Sequence, residues 1–282
     1  MISIKLDRYA VIGNPIAHSK SPQIHAVFAK QTRQAMHYEA ILSPLDGFGE
    51  TVNNLITQGY KGANVTVPFK FEAFNLCDEL SARAEAAGAV NTLTFEHGNI
   101  KGDNTDGAGL VSDIVNNLKI PLQGKRILLV GAGGAAQGVL LPLIAQNPTS
   151  ILIANRGLEK AQKLVKHVTK NAACHITACD FVTLNQPFLQ QPFDVVINAT
   201  SASLNDASLP ISDEVFGVKT TAYDMMYGRE TPFMAQARAN GAQVADGLGM
   251  LVEQAAEAFY LWRGVRPSTQ PVIQQLKQKI GI

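Results

Sequence analysis

The sequence has little cysteine and no grouping of histidine and cysteine that is typical of a metal site. Its three cysteines, Cys77, Cys174 and Cys179, cannot all pair, and none lies in a CxxC pattern. This predicts free thiols in a reducing compartment rather than a disulfide framework. The histidines form no HExxH or comparable cluster, so no metal is expected. They stand at positions 18, 25, 37, 97, 167 and 175.

Long apolar runs and an excess of charge of one sign are also absent. No stretch approaches the roughly 18–20 apolar residues of a membrane span, and the N-terminal stretch MISIKLDRYAVIGNP does not resemble a signal peptide. We therefore expect a cytoplasmic protein without a membrane partner. The chain has 24 Lys and Arg against 23 Asp and Glu, a formal net charge of +1. This balance argues against a nucleic-acid partner and leaves a small, locally charged ligand. Monomer and homodimer both stay open.

Strand-like apolar runs alternate with helical patterns along the 282 residues, which predicts two α/β domains with mostly parallel sheets. The first series has strands at 8–13, 37–43 and 62–70, helices at 22–34, 45–57 and 70–85, and a hairpin within 89–107 that turns at HGN. A helix over about 107–120 leads to the second series. That series has strands at 126–130, 150–156, 194–200, 221–227 and 242–247, with helices centred near 140, 163 and 236.

The change from one series to the next sets the domain boundaries. We predict a mostly parallel α/β substrate domain over 1–106, completed by C-terminal helices over 248–282, and a Rossmann domain over 107–247. Ligands of open α/β sheets bind at the carboxyl ends of the strands. The functional site is therefore expected in the cleft between the two domains.

A glycine-rich turn, LLVGAGGAAQG, places Gly131, Gly133 and Gly134 directly after a strand and at the start of a helix. A dinucleotide site needs a tight turn, a backbone without side chains near the pyrophosphate, and free N–H groups at the helix start. A plain strand–turn–helix is the alternative. The flanking strand and helix favour the dinucleotide site, and Ala136 meets the need for a small sixth residue.

The end of the next strand indicates which dinucleotide binds. An NAD site usually has Asp or Glu there, to bind the ribose 2′-hydroxyl, whereas this chain has NRGLEK, with Arg156 and Lys160. Arg156 offers a planar fork suited to a phosphate. Solvated charges at a helix start are the alternative, but the helix dipole disfavours cations at that position. The pattern predicts NADP.

Three further stretches carry polar residues whose roles the local pattern leaves open. NVTVPFK ends a strand on Lys70, and an ordinary solvated lysine explains that. GNPIAHSKSPQIH places Ser19 and Ser21 before a helix, where Ser21 suits an N-cap and two hydroxyls suit a carboxylate. GDNTDG brings Asp103 and Asp106 to a turn, where either aspartate can be purely structural.

Together these stretches resemble one family, shikimate dehydrogenase. The resemblance runs from residue 13 to residue 256 and is carried by GNPIAHSKSPQIH, GANVTVPFK, GAVNT, GDNTDG, GAGGAA, NR with Lys160, NATSAS, YDMMY and DGLGMLVEQAA. It implies an NADP-dependent oxidoreductase that interconverts 3-dehydroshikimate and shikimate in aromatic amino-acid biosynthesis. GDNTDG and NVTVPFK are far more specific than the glycine turn.

The resemblance also implies roles for individual residues. Lys70 matches the family's catalytic lysine, and Asp106 matches its partner carboxylate. The positions that match substrate contacts are Ser19, Ser21, Thr66, Lys70, Asn91, Asp106, Tyr227 and Gln254. The positions that match the cofactor site are Gly131, Ala132, Gly133, Gly134, Ala135, Asn155, Arg156, Gly157, Lys160, Thr200, Met225 and Gly247. Relatives often have arginine where this chain has Lys160, and lysine keeps the charge without the bidentate geometry.

Two alternatives remain. A quinate/shikimate dehydrogenase that uses NAD is one, although an acidic residue at the Arg156 position would have favoured it. A non-catalytic NADP-binding sensor on the same fold is the other. Such a sensor could keep the glycine turn while losing Lys70 or Asp106, and this chain has both.

Overall fold

The computed structural model describes residues 6–168, 174–186, 191–202 and 206–280, which divide into two compact units. Unit 1 comprises the described residues up to Gly109 and those from Leu251 onward, and unit 2 comprises Leu110–Met250. Each unit contains a six-stranded sheet. Among the described residues, no helix has the length and apolar character needed to cross a membrane.

Unit 1 is built on a mixed sheet with the strand order β2-β1-β3-β5-β6-β4. Its strands are β1 (Asp7–Gly13), β2 (Met36–Leu42), β3 (Tyr60–Val65), β4 (Glu79–Leu80), β5 (Thr92–Glu96) and β6 (Asn99–Asp103). Its helices before the boundary are α1 (Ser21–Thr32), α2 (Phe48–Thr57), α3 (Lys70–Leu76), α4 (Ala82–Ala87) and the first part of α5 (Asp106–Ser112). β1 runs parallel to β2 and β3, whereas β5 runs antiparallel to β3 and β6.

Unit 2 is built on a parallel sheet with the strand order β12-β11-β10-β7-β8-β9. Its strands are β7 (Arg126–Val130), β8 (Ser150–Ala154), β9 (His175–Cys179), β10 (Val195–Asn198), β11 (Thr221–Asp224) and β12 (Gln243–Asp246). Its helices are α6 (Gly134–Ile144), α7 (Leu158–Val168), α8 (Phe181–Leu184) and α9 (Pro232–Ala239). Counted from β7, this is the Rossmann order 3-2-1-4-5-6. The predicted fold class, α/β with a Rossmann sheet, is confirmed.

Two C-terminal helices, α10 (Leu248–Arg263) and α11 (Gln270–Ile280), end the described chain. Within unit 1, Trp262 Nε1 donates a hydrogen bond of 3.1 Å to the Leu93 carbonyl on β5. A Cβ on Gly62 would lie 2.5 Å from that carbonyl oxygen and 2.6 Å from Trp262 Nε1, so only glycine fits there. Arg263 adds an ion pair of 2.5 Å with Asp7 at the start of β1. Side chains of α10 therefore attach it to β1 and β5.

The single helix predicted over 70–85 is wrong, because the chain adds a strand to the sheet in the middle of that stretch. Asp78 exchanges two hydrogen bonds with Ile100 on β6, one through its N–H and one through its carboxylate. The short strand β4 then pairs parallel to β6. A new helix, α4, begins after Ser81, whose hydroxyl caps the Ala84 N–H at 3.2 Å.

Two features of unit 2 were not predicted. Strand β9, HITAC, pairs parallel to β8 at the edge of the sheet, where its partly exposed residues give no continuous apolar run. The helix predicted over 107–120 changes after α5 into a π-helical segment, Asp113–Asn117. In this segment the buried Asp113 carboxylate accepts a hydrogen bond of 2.7 Å from the Tyr223 hydroxyl.

His25 on α1 is a fully buried side chain in an aromatic cluster of unit 1. Its ring stacks on Tyr38 with centroids 4.0 Å apart, and the rings of Phe28 and Phe259 lie about 6 Å away. Neither ring nitrogen makes a hydrogen bond within the described residues. Burial lowers the pKa of His25 from 6.5 to about 3. The folded protein therefore holds this imidazole neutral.

We expect the stability of the protein to fall below pH 6.5 because of His25. Between its folded pKa of about 3 and its unfolded value of 6.5, the unfolded chain binds a proton that the folded chain does not. The contribution from this group should drop by about 1.4 kcal/mol between pH 7.5 and pH 5.5. Urea unfolding at the two pH values measures the change. His25→Leu should remove this part of the pH dependence of stability. His37→Gln, which changes an exposed histidine, should keep it. Equal pH dependence in wild type and His25→Leu would contradict the assignment of the effect to His25.

Candidate active site

An ion pair between Lys70 and Asp106 is the central polar contact in unit 1. Lys70 Nζ donates a hydrogen bond of 2.6 Å to Asp106 Oδ2. The Lys70 side chain is 30% exposed and the Asp106 side chain 15%, so the pair is partly shielded from water and still accessible. Within the described part of the chain, Nζ has no other hydrogen-bond partner. An ammonium has three N–H donors, so two remain for a ligand.

The backbone that carries Lys70 is held by packing and by hydrogen bonds. After β3, the Phe69 N–H donates to the Thr66 carbonyl at 3.0 Å and closes a turn. The Phe69 ring is fully buried and stacks on Phe48 with centroids 5.0 Å apart. Lys70 begins α3, and its carbonyl accepts a hydrogen bond of 2.9 Å from the Val90 N–H. The lysine side chain therefore extends from a fixed point of the fold.

The Asp106 carboxylate is oriented by Asn91. Asn91 Nδ2 donates to Asp106 Oδ1 at 2.7 Å, while Lys70 binds the other carboxylate oxygen. Asp106 is the first residue of α5, where the helix dipole favours a negative charge. Its N–H donates to the Asn104 side-chain oxygen at 3.1 Å. Both the position and the rotation of this carboxylate are thus determined.

Asn91 is 3% exposed, and its amide is fully used within unit 1. Its Oδ1 accepts hydrogen bonds from the Thr105 N–H at 2.8 Å and from the Thr92 hydroxyl at 2.9 Å. Its Nδ2 also lies 3.0 Å from Thr105 Oγ1 and 3.4 Å from Gln254 Oε1. A buried polar group without a partner costs about 1–3 kcal/mol. The network therefore ties Gln254 and the loop before Asp106 to one side chain.

Asp103, the other aspartate of GDNTDG, has a structural role. Arg83 donates to its two carboxylate oxygens at 2.6 and 2.9 Å, and the Ser81 hydroxyl donates at 2.6 Å. Arg83 also pairs with Glu257 on α10 at 3.0 Å. These contacts fix the end of β6 and occupy the Asp103 carboxylate. Of the two aspartates that the turn pattern left open, Asp106 is the one placed beside Lys70.

The serine pair lies in the loop between β1 and α1. The N-cap of α1 is Lys20, and Ser21 is its first helical residue, so of the two interpretations left open for Ser21 the N-cap does not hold. The hydroxyl that binds a free N–H of the helix is that of Ser19, which accepts a hydrogen bond of 3.3 Å from the Ser21 N–H. Ser21 is thus left without an N-cap role.

Thr66 follows β3, next to the loop that contains the serines. Because β1 and β3 are parallel neighbours, their carboxyl ends meet at one edge of the sheet. The Asn14 N–H donates to the Val67 carbonyl at 3.1 Å, and a Cβ on Gly13 would lie 2.5 Å from Thr66 Cγ2. Among the described residues, the Thr66 hydroxyl has no hydrogen-bond partner. It is available to a ligand at this edge.

In unit 2 the glycine-rich turn joins β7 to α6. Gly131 has a φ of +111°, and a Cβ there would lie 3.1 Å from both the Ala199 carbonyl oxygen and Thr200 Cγ2. At Gly133, the N-cap of α6, no described atom lies within 4 Å of a Cβ position. No side chain in the described part of the protein caps α6, so its first N–H groups are left for another acceptor. These features fit a dinucleotide pyrophosphate.

Two exposed cations follow β8. The side chains of Arg156 and Lys160 have no ion-pair or hydrogen-bond partner in the part of the chain that the structure describes. The turn between them is held by Asn155, whose Nδ2 donates to the Gly157 carbonyl at 2.9 Å. Two free cations one strand away from a pyrophosphate-binding turn fit the additional phosphate of NADP.

The remaining predicted residues of unit 2 follow β10, β11 and β12. The Thr200 hydroxyl donates to Asn198 Oδ1 at 2.8 Å, and the Met225 N–H donates to the Asn198 carbonyl at 3.1 Å. A Cβ on Gly247 would lie 2.2 Å from the Met225 carbonyl oxygen, so glycine is required there. Tyr227 lies shortly after β11, and burial raises its pKa above the usual value. Because the strands are parallel, these residues share the carboxyl edge with the glycine turn.

Comparisons with known proteins identify the family. Residues 11–93 match the family model of the shikimate dehydrogenase substrate binding domain. Residues 112–206 match the shikimate/quinate 5-dehydrogenase model, and residues 247–277 match the shikimate 5′-dehydrogenase C-terminal domain. The shikimate dehydrogenase (NADP(+)) of Methylobacillus flagellatus is 57% identical over 96% of this chain and 99% of that protein.

The chain belongs to the shikimate dehydrogenase family.

Solved structures agree with that assignment. An Ael1 enzyme from Pseudomonas putida is 48% identical, with a TM-score of 0.90 over 96% of this chain and 98% of that one. The shikimate 5-dehydrogenase of Thermus thermophilus, solved in complex with NADP(H) and shikimate, is 30% identical, with a TM-score of 0.83 over 97% of this chain and 99% of that one. The resemblance found in the sequence is confirmed as family membership.

Within the shikimate dehydrogenase fold, the predicted residues form two groups. Lys70, Asp106, Asn91 and Gln254 are joined by hydrogen bonds in unit 1, and Thr66 and the serine pair lie in its strand-end loops. The group in unit 2 surrounds the carboxyl edge of its sheet. It consists of Gly131, Ala132, Gly133, Gly134, Ala135, Asn155, Arg156, Gly157, Lys160, Thr200, Met225, Tyr227 and Gly247.

Sequence reasoning missed the buried polar residues that hold these groups. Thr105 stands inside GDNTDG, and Asn198 inside NATSAS, yet neither was given a role. Asn64 is 6% exposed and binds both the Asn91 carbonyl and the Thr92 hydroxyl through Nδ2, at 3.2 and 3.1 Å. The available signal was a polar residue at the end of an apolar strand, where burial demands partners.

Two glycine substitutions should separate folding from binding in the glycine-rich turn. Gly131→Ala forces a side chain into a positive-φ position against Ala199, and we expect a loss of about 1–3 kcal/mol in stability. Gly133→Ala meets no atom of the described residues, so its melting temperature should match wild type while its affinity for NADPH falls. Thermal unfolding and a fluorescence titration with NADPH measure the two effects. Unchanged NADPH affinity in Gly133→Ala would contradict the pyrophosphate assignment.

Proposed function

We propose that this chain is an NADP-dependent shikimate dehydrogenase that reversibly reduces 3-dehydroshikimate to shikimate. The observation that carries the proposal is the Lys70–Asp106 ion pair of 2.6 Å, held by Asn91 in a partly open position. Curated relatives that are 52–57% identical over nearly the whole chain bear the name shikimate dehydrogenase (NADP(+)). The predicted activity and cofactor agree with that name.

The reaction needs a proton at the substrate oxygen together with a hydride at the carbon that bears it. In the direction of reduction, we assign proton donation to Lys70, because its Nζ keeps two N–H donors beyond the one used by Asp106. Asp106 accepts from Lys70 and Asn91 through different oxygens, so it holds the lysine in place. In the reverse direction, the neutral Lys70 amine accepts the proton from the alcohol.

The polar groups around this pair suit a small hydroxylated acid. Ser19 and Ser21, at the start of α1, are assigned to the substrate carboxylate, where hydroxyl donors and the helix terminus favour an anion. Thr66 and Gln254 are assigned to ring hydroxyls. Thr66 has a free hydroxyl among the described residues, and Gln254 is held within the Asn91 network.

Residues of unit 2 are assigned to the cofactor. The glycine turn would hold the pyrophosphate, and Arg156 with Lys160 would hold the additional phosphate that distinguishes NADP from NAD. The remainder of the cofactor site would be lined by Thr200, Met225 and Gly247. The chemistry that bound NADPH supplies is hydride donation to a carbonyl carbon. Tyr227, in the same unit, is assigned to the substrate.

A reducing compartment suits the thiols of this chain. All three cysteines are free, and burial raises the pKa of Cys179 to about 11 and that of Cys77 to about 12. Free cysteines are typical of proteins in a reducing compartment. We therefore infer a cytoplasmic location.

The function can be tested by absorbance at 340 nm, with shikimate or quinate offered with NADP⁺ or NAD⁺. Wild type should turn over shikimate with NADP⁺. Lys70→Ala should lower kcat by about 10²–10⁴-fold, because it removes the proton donor. Lys101→Ala is the matched control, since Lys101 forms an exposed ion pair with Glu96 on the hairpin, and it should keep wild-type rates.

Other outcomes of that assay point to other functions. Turnover of quinate with NAD⁺ in preference to shikimate with NADP⁺ would replace the proposal with a quinate dehydrogenase. NADPH binding without turnover of any pair would replace it with a sensor. Wild-type rates in Lys70→Ala would not affect the assignment of shikimate as the substrate, but they would overturn the catalytic role of the lysine.

Arg156 should determine the preference for NADP over NAD. Arg156→Gln removes a charged partner of the additional phosphate, and we expect KM for NADP⁺ to rise about 10–100-fold while KM for NAD⁺ stays unchanged. Lys163→Gln is the control, because Lys163 is an exposed cation farther along α7. Steady-state kinetics with each cofactor at saturating shikimate measure the effect. Equal increases for NADP⁺ and NAD⁺ would contradict a phosphate contact.

A further inference from the structure

A buried amide and a buried carboxylate lie side by side at the ends of two strands of unit 2. Asn198 ends β10 and Asp224 ends β11, and the two are register partners in the sheet. Both are 0% exposed. Asn198 Nδ2 donates a hydrogen bond of 3.1 Å to Asp224 Oδ2. Burying a carboxylate without strong hydrogen bonds is costly, so this pair demands an explanation beyond packing.

Each member of the pair holds the backbone that follows its own strand. Asn198 Oδ1 accepts from the Thr200 N–H at 3.0 Å and from the Thr200 hydroxyl at 2.8 Å. The same hydroxyl accepts from the Ala202 N–H at 3.2 Å. Asp224 Oδ1 accepts from the Met226 N–H at 3.0 Å. One polar contact therefore links the segments 199–202 and 225–226.

The backbone of these two segments fits tightly against its neighbours. The Ala199 carbonyl would be 3.1 Å from a Cβ on Gly131, and the Met225 carbonyl 2.2 Å from a Cβ on Gly247. The Gly247 N–H also donates to the Met226 carbonyl at 2.8 Å. A shift of either segment would therefore change the space beside a glycine that is assigned to the cofactor.

We propose that Asn198 and Asp224 are positioning residues, which together set the Thr200 and Met225 segments in the geometry that binds NADP(H). The proposal rests on the proposed function, because it takes the cofactor contacts of Thr200 and Met225 from it. Neither Asn198 nor Asp224 is assigned a contact with the cofactor. Their effect passes through the backbone of the segments that follow them.

Exchanging the amide and the carboxylate tests the pair with little change in side-chain volume. Asn198→Asp places two carboxylates together. Asp224→Asn places two amides together, so that either the Asn198 amide or the Met226 N–H loses its acceptor. In the double variant Asn198→Asp/Asp224→Asn, an amide again faces a carboxylate. Position 198 keeps an acceptor for Thr200, and position 224 keeps one for Met226.

We expect each single variant to weaken NADPH binding about tenfold or more. Asn198→Asp breaks the hydrogen bond that links the two segments, and Asp224→Asn breaks either that bond or the one from the Met226 N–H. The double variant should recover most of the affinity. Fluorescence titration with NADPH gives the Kd, and steady-state kinetics give KM for NADP⁺ and for shikimate. In the single variants, the Kd for NADPH and KM for NADP⁺ should rise, whereas KM for shikimate should not. Circular dichroism at the assay temperature establishes that each variant is folded.

Thr231→Ala is the matched control for a purely structural role. The Thr231 hydroxyl donates to Asp224 Oδ2 at 2.6 Å and caps α9, but it holds neither cofactor segment. This variant should lower the melting temperature and leave the Kd for NADPH unchanged. If Thr231→Ala weakened NADPH binding as much as the single exchanges, the pair would be structural only.

The remaining outcomes also decide the proposal. Single variants with wild-type Kd values, or a double variant no better than the singles, would overturn the positioning role while wild-type activity kept the proposed function intact. Wild-type protein that binds no NADPH would instead overturn the proposed function, and the role of the pair in cofactor binding would fall with it.

Discussion

The amide of Asn91 is the contact on which the organisation of unit 1 depends. It is buried, it donates to the Asp106 carboxylate, and it accepts from the Thr105 backbone, so the start of α5 cannot shift without breaking hydrogen bonds that water cannot replace. Lys70 approaches the same carboxylate from the start of α3. The flexible Lys70 side chain thereby acquires a defined position, because the Asp106 carboxylate that it binds is itself held by the buried Asn91 amide.

Unit 2 uses the same combination. Asn198 lies next to Asp224 as Asn91 lies next to Asp106, and in each case the amide nitrogen binds the carboxylate while the amide oxygen binds a backbone N–H just beyond a strand or before a helix. The difference is exposure. Asp106 keeps partial contact with solvent and pairs with a lysine, whereas Asp224 is fully enclosed and has Asn198, Thr231 and Met226 among its hydrogen-bond donors. The exposure of Asp106 suits a carboxylate near a reacting group, and the enclosure of Asp224 suits one that holds the neighbouring backbone.

The sequence was informative where local chemistry and long-range structure agree. The apolar strands and the glycine turn predicted the Rossmann sheet. Lys70 and Asp106 were singled out only by the family resemblance, because the local pattern of NVTVPFK and GDNTDG left their roles open. Prediction failed where partners distant in sequence decide the outcome. The break near Asp78 depends on pairing with Ile100, and β9 depends on an edge position beside β8. The hydrogen-bond partners of Asn91 and Asn198 could not be predicted from the sequence. A buried amide in an apolar stretch indicates only that it has some partner.

The attachment of α10 to unit 1 has a consequence for synthesis on the ribosome. Unit 2 is one continuous stretch and can complete its sheet once β12 has emerged. The six strands of unit 1 emerge earlier, but one face of its sheet waits for its cover, because Tyr9 stacks on Trp262 and contacts Arg263, which lies 254 positions later in the chain. At about 5–20 residues per second, the first strand waits roughly 10–50 s for that cover. The domain that is translated first is therefore the one that finishes last, and chains interrupted before α10 leave the apolar face around Tyr9 and Val11 open to other molecules.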